Sequence, residues 1–509
     1  MKNPPFAAIA TLAVSALTLS AQKSKLPNIV VLVADDYGYS DNSTNPFHAK
    51  EVNTPNIDRI AKTGVNCTNG YVSAHISSCT RAGVMTGLYQ QRFGLYTAGE
   101  AGSGLDMSAT IFPQYLKGAG YVSGQFGKWH LGPDPAWSPF KRGFDYQFGF
   151  LGRGAHDYYK LNDPNDPIYR NDQAVTPEGY LTDLWAEDVC KFIVNNKAKP
   201  FFAYVAFNAV HTPLQAPVDE IAKFNTGDST RNVMLAMGKR LDDAVGKILN
   251  TLEKNGLRQN TIVFFISDNG GALPCTSENK PLRGGKHQDY EGGIRVPFFV
   301  SWPAQIKAGT VCEHPVIALD ILPTCLKVAS ITPPAGTQFD GIDILPMITG
   351  KAADDERPLY WSGGSADPWW ALRKGDWKIV GMKGDAWLYN LRDDIGESQD
   401  LKAQNADKFN ELKALHDKWL DEMKNPASAN NHKRWDPAIA PIKKKNPNVP
   451  SIKFDMTERK EAQAAMKAQA GEAAAKPDPS EWTPERTAKR EAQREANTAT
   501  RKAEREKKE

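Results

Sequence analysis

Asp35-Asp36 and Asp268-Asn269 put three carboxylates and one amide oxygen into two adjacent pairs. An all-oxygen donor set of that kind suits a hard cation, Ca²⁺ or Mg²⁺, better than zinc. Arg81, Lys128 and Lys286 add positive charge, and His130 and His211 add imidazoles. Taken singly, each has an ordinary reading: solvated loop acids, surface lysines, a rim arginine, hydrogen-bonded histidines. Gathered in one place, these basic side chains repel one another unless an anion sits among them. A carboxylate-held cation beside Lys, Arg and His is equipment for gripping a phosphate or sulfate ester.

The elements that must bring these residues together are legible as short apolar runs. Residues 28–34 read as a buried strand ending at Asp35, and 121–126 as a strand leading to Gly127-Lys128-Trp129-His130. Residues 200–207 form a strand running into His211, 261–267 one ending at Asp268, and 294–302 a further strand. Between them lie helical stretches at 54–64 (Thr54 ahead of Pro55, Gly64 behind), 111–119 and 232–252. This alternation predicts an α/β domain with a mostly parallel, helix-covered sheet. Ligands in such sheets bind at the carboxyl ends of the strands, where Asp35, Asp36, Lys128, His130, His211, Asp268 and Asn269 fall. The stretch Ser77-Ser78-Cys79-Thr80-Arg81 reads as a polar turn feeding a helix, with Ser77 and Ser78 as N-cap candidates at an end suited to an anion. An ordinary serine-capped helix with Cys79 buried is the simpler reading of that stretch alone.

The chain of 509 residues is long enough for more than one domain, and 41% apolar with 24% charged residues is ordinary for a globular protein. A net charge of +3 gives no reason to expect a nucleic-acid partner. Residues 1–21 carry Lys2, an apolar stretch from Phe6 to Leu19 and a small-residue cleavage site, the pattern of a secretory signal peptide. No apolar run approaches the ~20 residues a membrane span needs. The expectation is therefore export, to the periplasm or medium. Residues 22–355 form the expected catalytic domain, and 356–425 a small α+β domain of short aromatic-rich strands with a helix near 406–423. Its Trp-rich part, 361–377, offers either carbohydrate-stacking surface or core. The charged residues 426–509, poor in apolar stripe, read as solvated helix or disordered tail. Six cysteines show no metal-finger spacing, and their pairing is not readable. The Gly-flanked loop His156-Asp157-Tyr158-Tyr159 reads either as a lining of the substrate pocket or as a loop packed on its own aromatics, and His287 as a pocket or a rim residue, while His48, His75, His314, His416 and His432 read as structural or solvated.

The chain resembles the type I sulfatases of the alkaline phosphatase superfamily over most of residues 26–402. The stretch from Ser77 to Gly87 matches their signature, in which a Cys or Ser is followed by Arg four residues later and by Thr-Gly further on. Pro27–Tyr39, Thr54–Arg59, Gly127–Gly132, Arg142–Asp145, Ser267–Gly271, Pro281–Lys286, Tyr290–Pro297 and Leu388–Arg392 match further family signatures in order. The resemblance implies an alkaline-phosphatase-like α/β sandwich with a small antiparallel carboxy-terminal sheet. It implies one Ca²⁺ held by Asp35, Asp36, Asp268, Asn269 and residue 77, and a formylglycine (3-oxoalanine) made from Ser77 whose hydrate is the nucleophile.

Further roles follow from the same resemblance. Arg81 and Lys128 hold the hydrate, Lys286 and His211 bind sulfate and protonate the departing alcohol, and His130 takes the proton that releases sulfate. The substrate class it implies is sulfated sugars or glycans. A serine at position 77 further implies a bacterial host with a formylglycine-generating radical maturase. Cys79 stands where the family has Pro or Ala. Two alternatives stay open at this point: a phosphodiesterase or phosphonate hydrolase of the same superfamily, and a sulfoglycan-binding protein with unmodified, silent Ser77.

Overall fold

The strand Asn28–Ala34 has no exposed residue, and a strand covered on both faces belongs inside a sheet with helices on each side. It lies at the middle of a ten-stranded sheet. The computed structural model describes residues 26–98, 104–152, 154–353, 356–363 and 368–426. The expected signal peptide, and all but the first residue of the expected tail, lie outside the described residues. Asn28–Ala34 pairs in parallel with Phe201–Ala206 on one side and Thr261–Ser267 on the other. Val122–Lys128 runs parallel to Phe201–Ala206, and Tyr146–Phe150 parallel to Val122–Lys128. The flanks are antiparallel: Ile168–Arg170 beyond Tyr146–Phe150, and Phe298–Ser301 beside Thr261–Ser267. The expected mostly parallel sheet is thus present, with antiparallel margins.

Alternation along the central strand decides which layer each side chain joins. Ile29, Val31 and Val33 pack with residues of the helices Ser77–Thr86, Phe112–Lys117 and Ile321–Val328. Val30, Leu32 and Ala34 face Pro55–Lys62, Leu181–Asn196 and Ser229–Lys254. The longest helix starts earlier than its apolar stripe suggested, because the Asp228 carboxylate caps it by accepting from Thr230 and Arg231 N–H.

Two expectations need correction. Residues 294–302 are not one strand: Glu291–Ile294 is a single helical turn, and the strand is confined to Phe298–Ser301 after Pro297, which has no N–H to give a ladder. Ser77 is not an N-cap: Ile76, in extended conformation, holds that place and Ser77 is the first helical residue. The serine hydroxyl is thereby released from capping.

Leu359–Gly363, Trp369–Lys374, Trp377–Met382 and Asp385–Asn390 form a four-stranded antiparallel sheet with helix Ala406–Glu422 against it. Trp361 and Trp369 are buried in its core rather than offered as stacking surface. Buried charge ties this sheet to the larger layer. Lys378 Nζ lies 2.8 Å from Glu291 Oε1 and 2.9 Å from Glu397 Oε1, and Tyr71 Oη donates to Glu291 Oε2 at 2.7 Å. Burial pushes the Glu397 carboxyl up to about 7, whereas Glu291, buried but facing Lys378, Arg295 and Arg373, is held down at about 2. None of the six cysteines forms a disulfide. Cys67 and Cys312 are register partners on neighbouring parallel strands. Among the described residues no helix is long and apolar enough to cross a membrane.

Candidate active site

Register places the site. Ala34 pairs with Ser267, Val33 with Ala206, and Gly127 also with Ala206. Asp35 and Asp268 therefore leave their strands side by side, and Lys128, the last residue of its strand and level with Ala34, comes out at the same edge. All three are fully buried. Asp35 and Asp268 N–H groups donate to Ala209 and Ala34 carbonyls at 2.9 and 3.0 Å, fixing the turns that follow. Asp36 and His130, just past two of these strand ends, have φ of 59° and 58°. A left-handed backbone at a non-glycine residue costs about 1–3 kcal/mol and persists where surrounding structure enforces it.

Helix Ser77–Thr86 delivers two of the groups from one face, since Ser77 and Arg81 are four residues apart. Ser77 Oγ donates to Asp35 Oδ1 at 3.0 Å and lies 3.2 Å from Asn269 Oδ1. Arg81 donates twice to Asp268 Oδ2, at 2.6 and 3.0 Å, and once to the Lys128 carbonyl at 3.1 Å. Every residue of this helix is buried, and Gly83 lets it approach: a Cβ there would stand 2.6 Å from Ser73 Oγ and 2.7 Å from Leu319 Cδ2. Cys79 points into the apolar core with Ala82 and Met85, away from the carboxylates.

Two lysines complete the pairing. Lys128 Nζ donates to Asp35 Oδ2 at 2.5 Å and to the Gly154 carbonyl at 2.6 Å. Lys286 Nζ lies 2.7 and 2.8 Å from the two Asp36 oxygens. Asn269 Nδ2 donates to Asp36 Oδ1 at 2.7 Å. Burial alone would raise both Asp35 and Asp36, but Lys128 with His211 and Arg81, and Lys286 with His211, hold them below the usual carboxylate range. Lys128 is lowered by burial, while Lys286 is raised because the attraction of Asp36 and Asp35 outweighs its burial.

The two histidines stand ready in different ways. His211 Nδ1 lies 2.8 Å from the Thr212 carbonyl, which can only accept, so Nδ1 carries the proton and Nε2 faces Asp36 Oδ2 at 3.6 Å. His130 is buried and its Nδ1 has no hydrogen-bond partner. Burial, followed by the charges of Lys128 and Arg81, holds its pKa well below the usual histidine range. It is an unprotonated base.

The structure thus brings together Asp35, Asp36, Ser77, Arg81, Lys128, His130, His211, Asp268, Asn269 and Lys286, all singled out in the sequence. Sequence reasoning missed the supports. Tyr158 Oη donates to the Asn208 and His211 carbonyls at 2.6 and 3.0 Å and so pins the loop that carries His211. His156 sits between the Asp157 and Asp166 carbonyls. His156 and Tyr158 thus serve as scaffold, while Tyr159 stays exposed. The aromatic doublet of this loop was the available signal.

The donor set fits a hard cation. Oxygen atoms of Asp35 and Asp36 and a nitrogen of His211 lie within 4.8 Å of one another, and Asp268 and Asn269 approach Asp36 from the facing strand end. A serine hydroxyl aimed at two of these oxygens, at the end of a buried helix, also fits a residue modified for chemistry.

Comparison with known proteins decides the family. The Sulfatase family profile matches residues 27–331. The chain belongs to the sulfatase family. A second profile, the carboxy-terminal part of N-sulphoglucosamine sulphohydrolase, matches residues 285–425. The sulfatase is 35% identical to mouse N-acetylgalactosamine-6-sulfatase over 376 residues, spanning 68% of this chain and 71% of that one. It is 28% identical over 503 residues to the sulfatase YdeN of Escherichia coli K12, covering 81% and 88% of the two chains. Among solved structures it resembles Ps i-CgsB in complex with k-i-k-neocarrahexaose, with a TM-score of 0.76, 33% identity, and 80% and 95% of the chains covered. The protein is a sulfuric ester hydrolase, which removes the superfamily phosphodiesterase alternative.

Proposed function

We propose that this sulfatase removes sulfate from sulfated sugars or glycans, using Ser77 as the position of the nucleophile. The observation that carries this reading is the Ser77 hydroxyl, 3.0 and 3.2 Å from Asp35 and Asn269 oxygens, among carboxylates that pair with Arg81, Lys128 and Lys286. Three carboxylates (Asp35, Asp36, Asp268) balance three cations (Arg81, Lys128, Lys286). A bound Ca²⁺ would make the site net positive, matched to a monoanionic sulfate ester. Asp35, Asp36, Asp268 and Asn269 would hold that ion with residue 77, and it would supply charge to stabilise the sulfate oxygens. Oxidised to formylglycine by a bacterial radical maturase and hydrated, residue 77 would supply the attacking oxygen and a second hydroxyl for release of sulfate.

The remaining work falls to the protein's own side chains. Lys128 and Arg81 hold the nucleophilic position and offset charge developing there. Lys286 faces the transferring group from the Asp36 side. His211 would act as the acid once it is protonated at Nε2 as well as Nδ1, giving the Nε2 proton to the departing sugar oxygen, and His130 accepts the proton removed from residue 77. Unmodified serine lacks that release route, because its sulfate ester carries no second hydroxyl, and it would be a poor nucleophile without activation. The sugar assignment draws on the relatives, which include an N-acetylgalactosamine-6-sulfatase and a structure bound to a neocarrahexaose. Domain limits of 22–355 and 356–425, and export behind residues 1–21, belong to the same proposal.

The test is sulfate release, measured by ion chromatography, from a panel including N-acetylgalactosamine 6-sulfate, sulfated neocarra-oligosaccharides and 4-methylumbelliferyl sulfate. Protein co-expressed with a maturase should release sulfate from at least one carbohydrate. Release from the aryl ester alone would overturn the glycan assignment.

A further inference from the structure

His75 stands two residues before Ser77, and Asp289 three residues after Lys286. Neither takes part in the chemistry above. Their side chains are 2% and 1% exposed, and His75 Nδ1 meets Asp289 Oδ1 at 2.5 Å. A second link runs alongside, where His287 N–H donates to the His75 carbonyl at 3.1 Å. The segment that carries the nucleophilic position is therefore stitched to the segment that carries Lys286, once through side chains and once through backbone. The far edge of the imidazole rests on Gly363 of the small sheet, where a Cβ would lie 3.3 Å from Cε1 and 3.5 Å from Nε2.

This pair is a poor way to gain stability. A carboxylate with no exposure is costly, Asp289 Oδ2 makes no hydrogen bond, and apolar residues of similar volume commonly serve a core as well or better. What the pair provides is registration. Residue 77 is anchored through Asp35 and Asn269, Lys286 through Asp36, and no direct hydrogen bond joins the two. Their separation is set by the backbone on which each rides, and His75–Asp289 is the buried polar clamp between those backbones. A misplacement of about 1 Å at a reacting group can cost on the order of a hundredfold in rate.

We propose that His75 and Asp289 are positioning residues for sulfate ester hydrolysis, setting the distance between residue 77 and Lys286 so that both engage one sulfate group. The inference rests on the proposed role of Lys286 at the sulfate.

Its test is a double-mutant cycle in full-length, co-matured protein. His75→Ala should lower kcat at least tenfold and weaken inhibition by inorganic sulfate several-fold. His75→Asn should recover most of both, because the Asn Nδ2 donor can replace imidazole Nδ1 at Asp289. In a Lys286→Ala background, His75→Ala should add less than threefold, since its effect passes through Lys286. Wild-type kcat and sulfate inhibition in folded His75→Ala, or losses that multiply with those of Lys286→Ala, would overturn the proposal. Should His75→Ala fail to fold by circular dichroism, Asp289→Leu, close in volume but with no acceptor for His75 Nδ1, takes its place in the cycle with the same expectations for kcat, sulfate inhibition and coupling to Lys286→Ala. A wild-type protein inert on every ester would instead defeat the reading of the site. Calorimetric binding of inorganic sulfate to the same variants would then decide the clamp separately.

Discussion

Lys128 Nζ lies 2.5 Å from Asp35 Oδ2, and neither side chain is exposed to solvent. A buried pair of this kind is worth little against an apolar substitute, but removing one partner strands the other, typically at about 3–5 kcal/mol. Lys128→Ala should therefore reduce both thermal stability and kcat, the latter by a hundredfold or more. Asp35→Asn should destabilise less, because the amide still accepts from Lys128. Differential scanning fluorimetry with initial rates checks the order. Equal melting temperatures for Lys128→Ala and wild type would contradict it.

Ser77→Ala should abolish turnover while leaving the fold intact, since the hydroxyl contacts only Asp35 and Asn269 among its side-chain partners. In protein co-expressed with the maturase, the peptide carrying residue 77 should be about two mass units lighter than the serine form. Full activity in a sample whose residue 77 is unaltered serine would remove formylglycine from the account.

Divalent-ion dependence follows from the packed carboxylates. Chelator-treated protein should lose activity, and Ca²⁺ should restore it while raising the melting temperature. At a free concentration a hundred times Kd, binding adds about 2.7 kcal/mol. Asp268→Asn should blunt that thermal response. An identical melting curve with and without Ca²⁺ would count against the ion site.

His211→Ala should cost on the order of a hundredfold or more in kcat on a sugar sulfate. The loss should be much smaller on an aryl sulfate, whose phenol departs without a proton. Comparing the two substrates isolates the proton-donor role. Equal losses would assign His211 to binding instead.

Glu397 gives a pH prediction outside the catalytic pocket. Its carboxyl is raised from 4.5 to about 7 by burial, so the folded state binds a proton that the unfolded chain has released. The folded form is thus favoured toward the acid side, and that contribution disappears as pH rises through about 7. Glu291, held at about 2, changes only in much stronger acid. Melting temperature should fall as pH rises from about 4.5 to about 7, and Glu397→Gln should flatten that slope.

Much of this architecture could be read from the chain. The runs at 28–34, 201–206 and 261–267 are mostly apolar, buried throughout and lead toward functional residues, so strand, burial and site edge arrive as one signal. The small sheet was legible because Gly-Asp turns separate its aromatic strands. Other elements gave no such signal. Helix Leu181–Asn196 mixes buried Trp185 and Asp188 with exposed Val194, and Ile168–Arg170 is too short to show a period. Pro297 divided what looked like one apolar strand. His75 was invisible as a clamp because its partner, Asp289, is 214 positions away and only the fold brings them together.

Every residue of the helix Ser77–Thr86 is enclosed, and Ser77 keeps only 3% of its surface. Solvent reaches the site at His211 and Lys286, whose side chains stay 15% and 13% exposed, but another macromolecule cannot draw this segment into a cleft of its own without dismantling the core. Any enzyme that rewrites residue 77 must meet the polypeptide before its layers close. On the proposed formylglycine reading, the timing of synthesis, and not only the presence of a modifying partner, would govern what fraction of the molecules is competent.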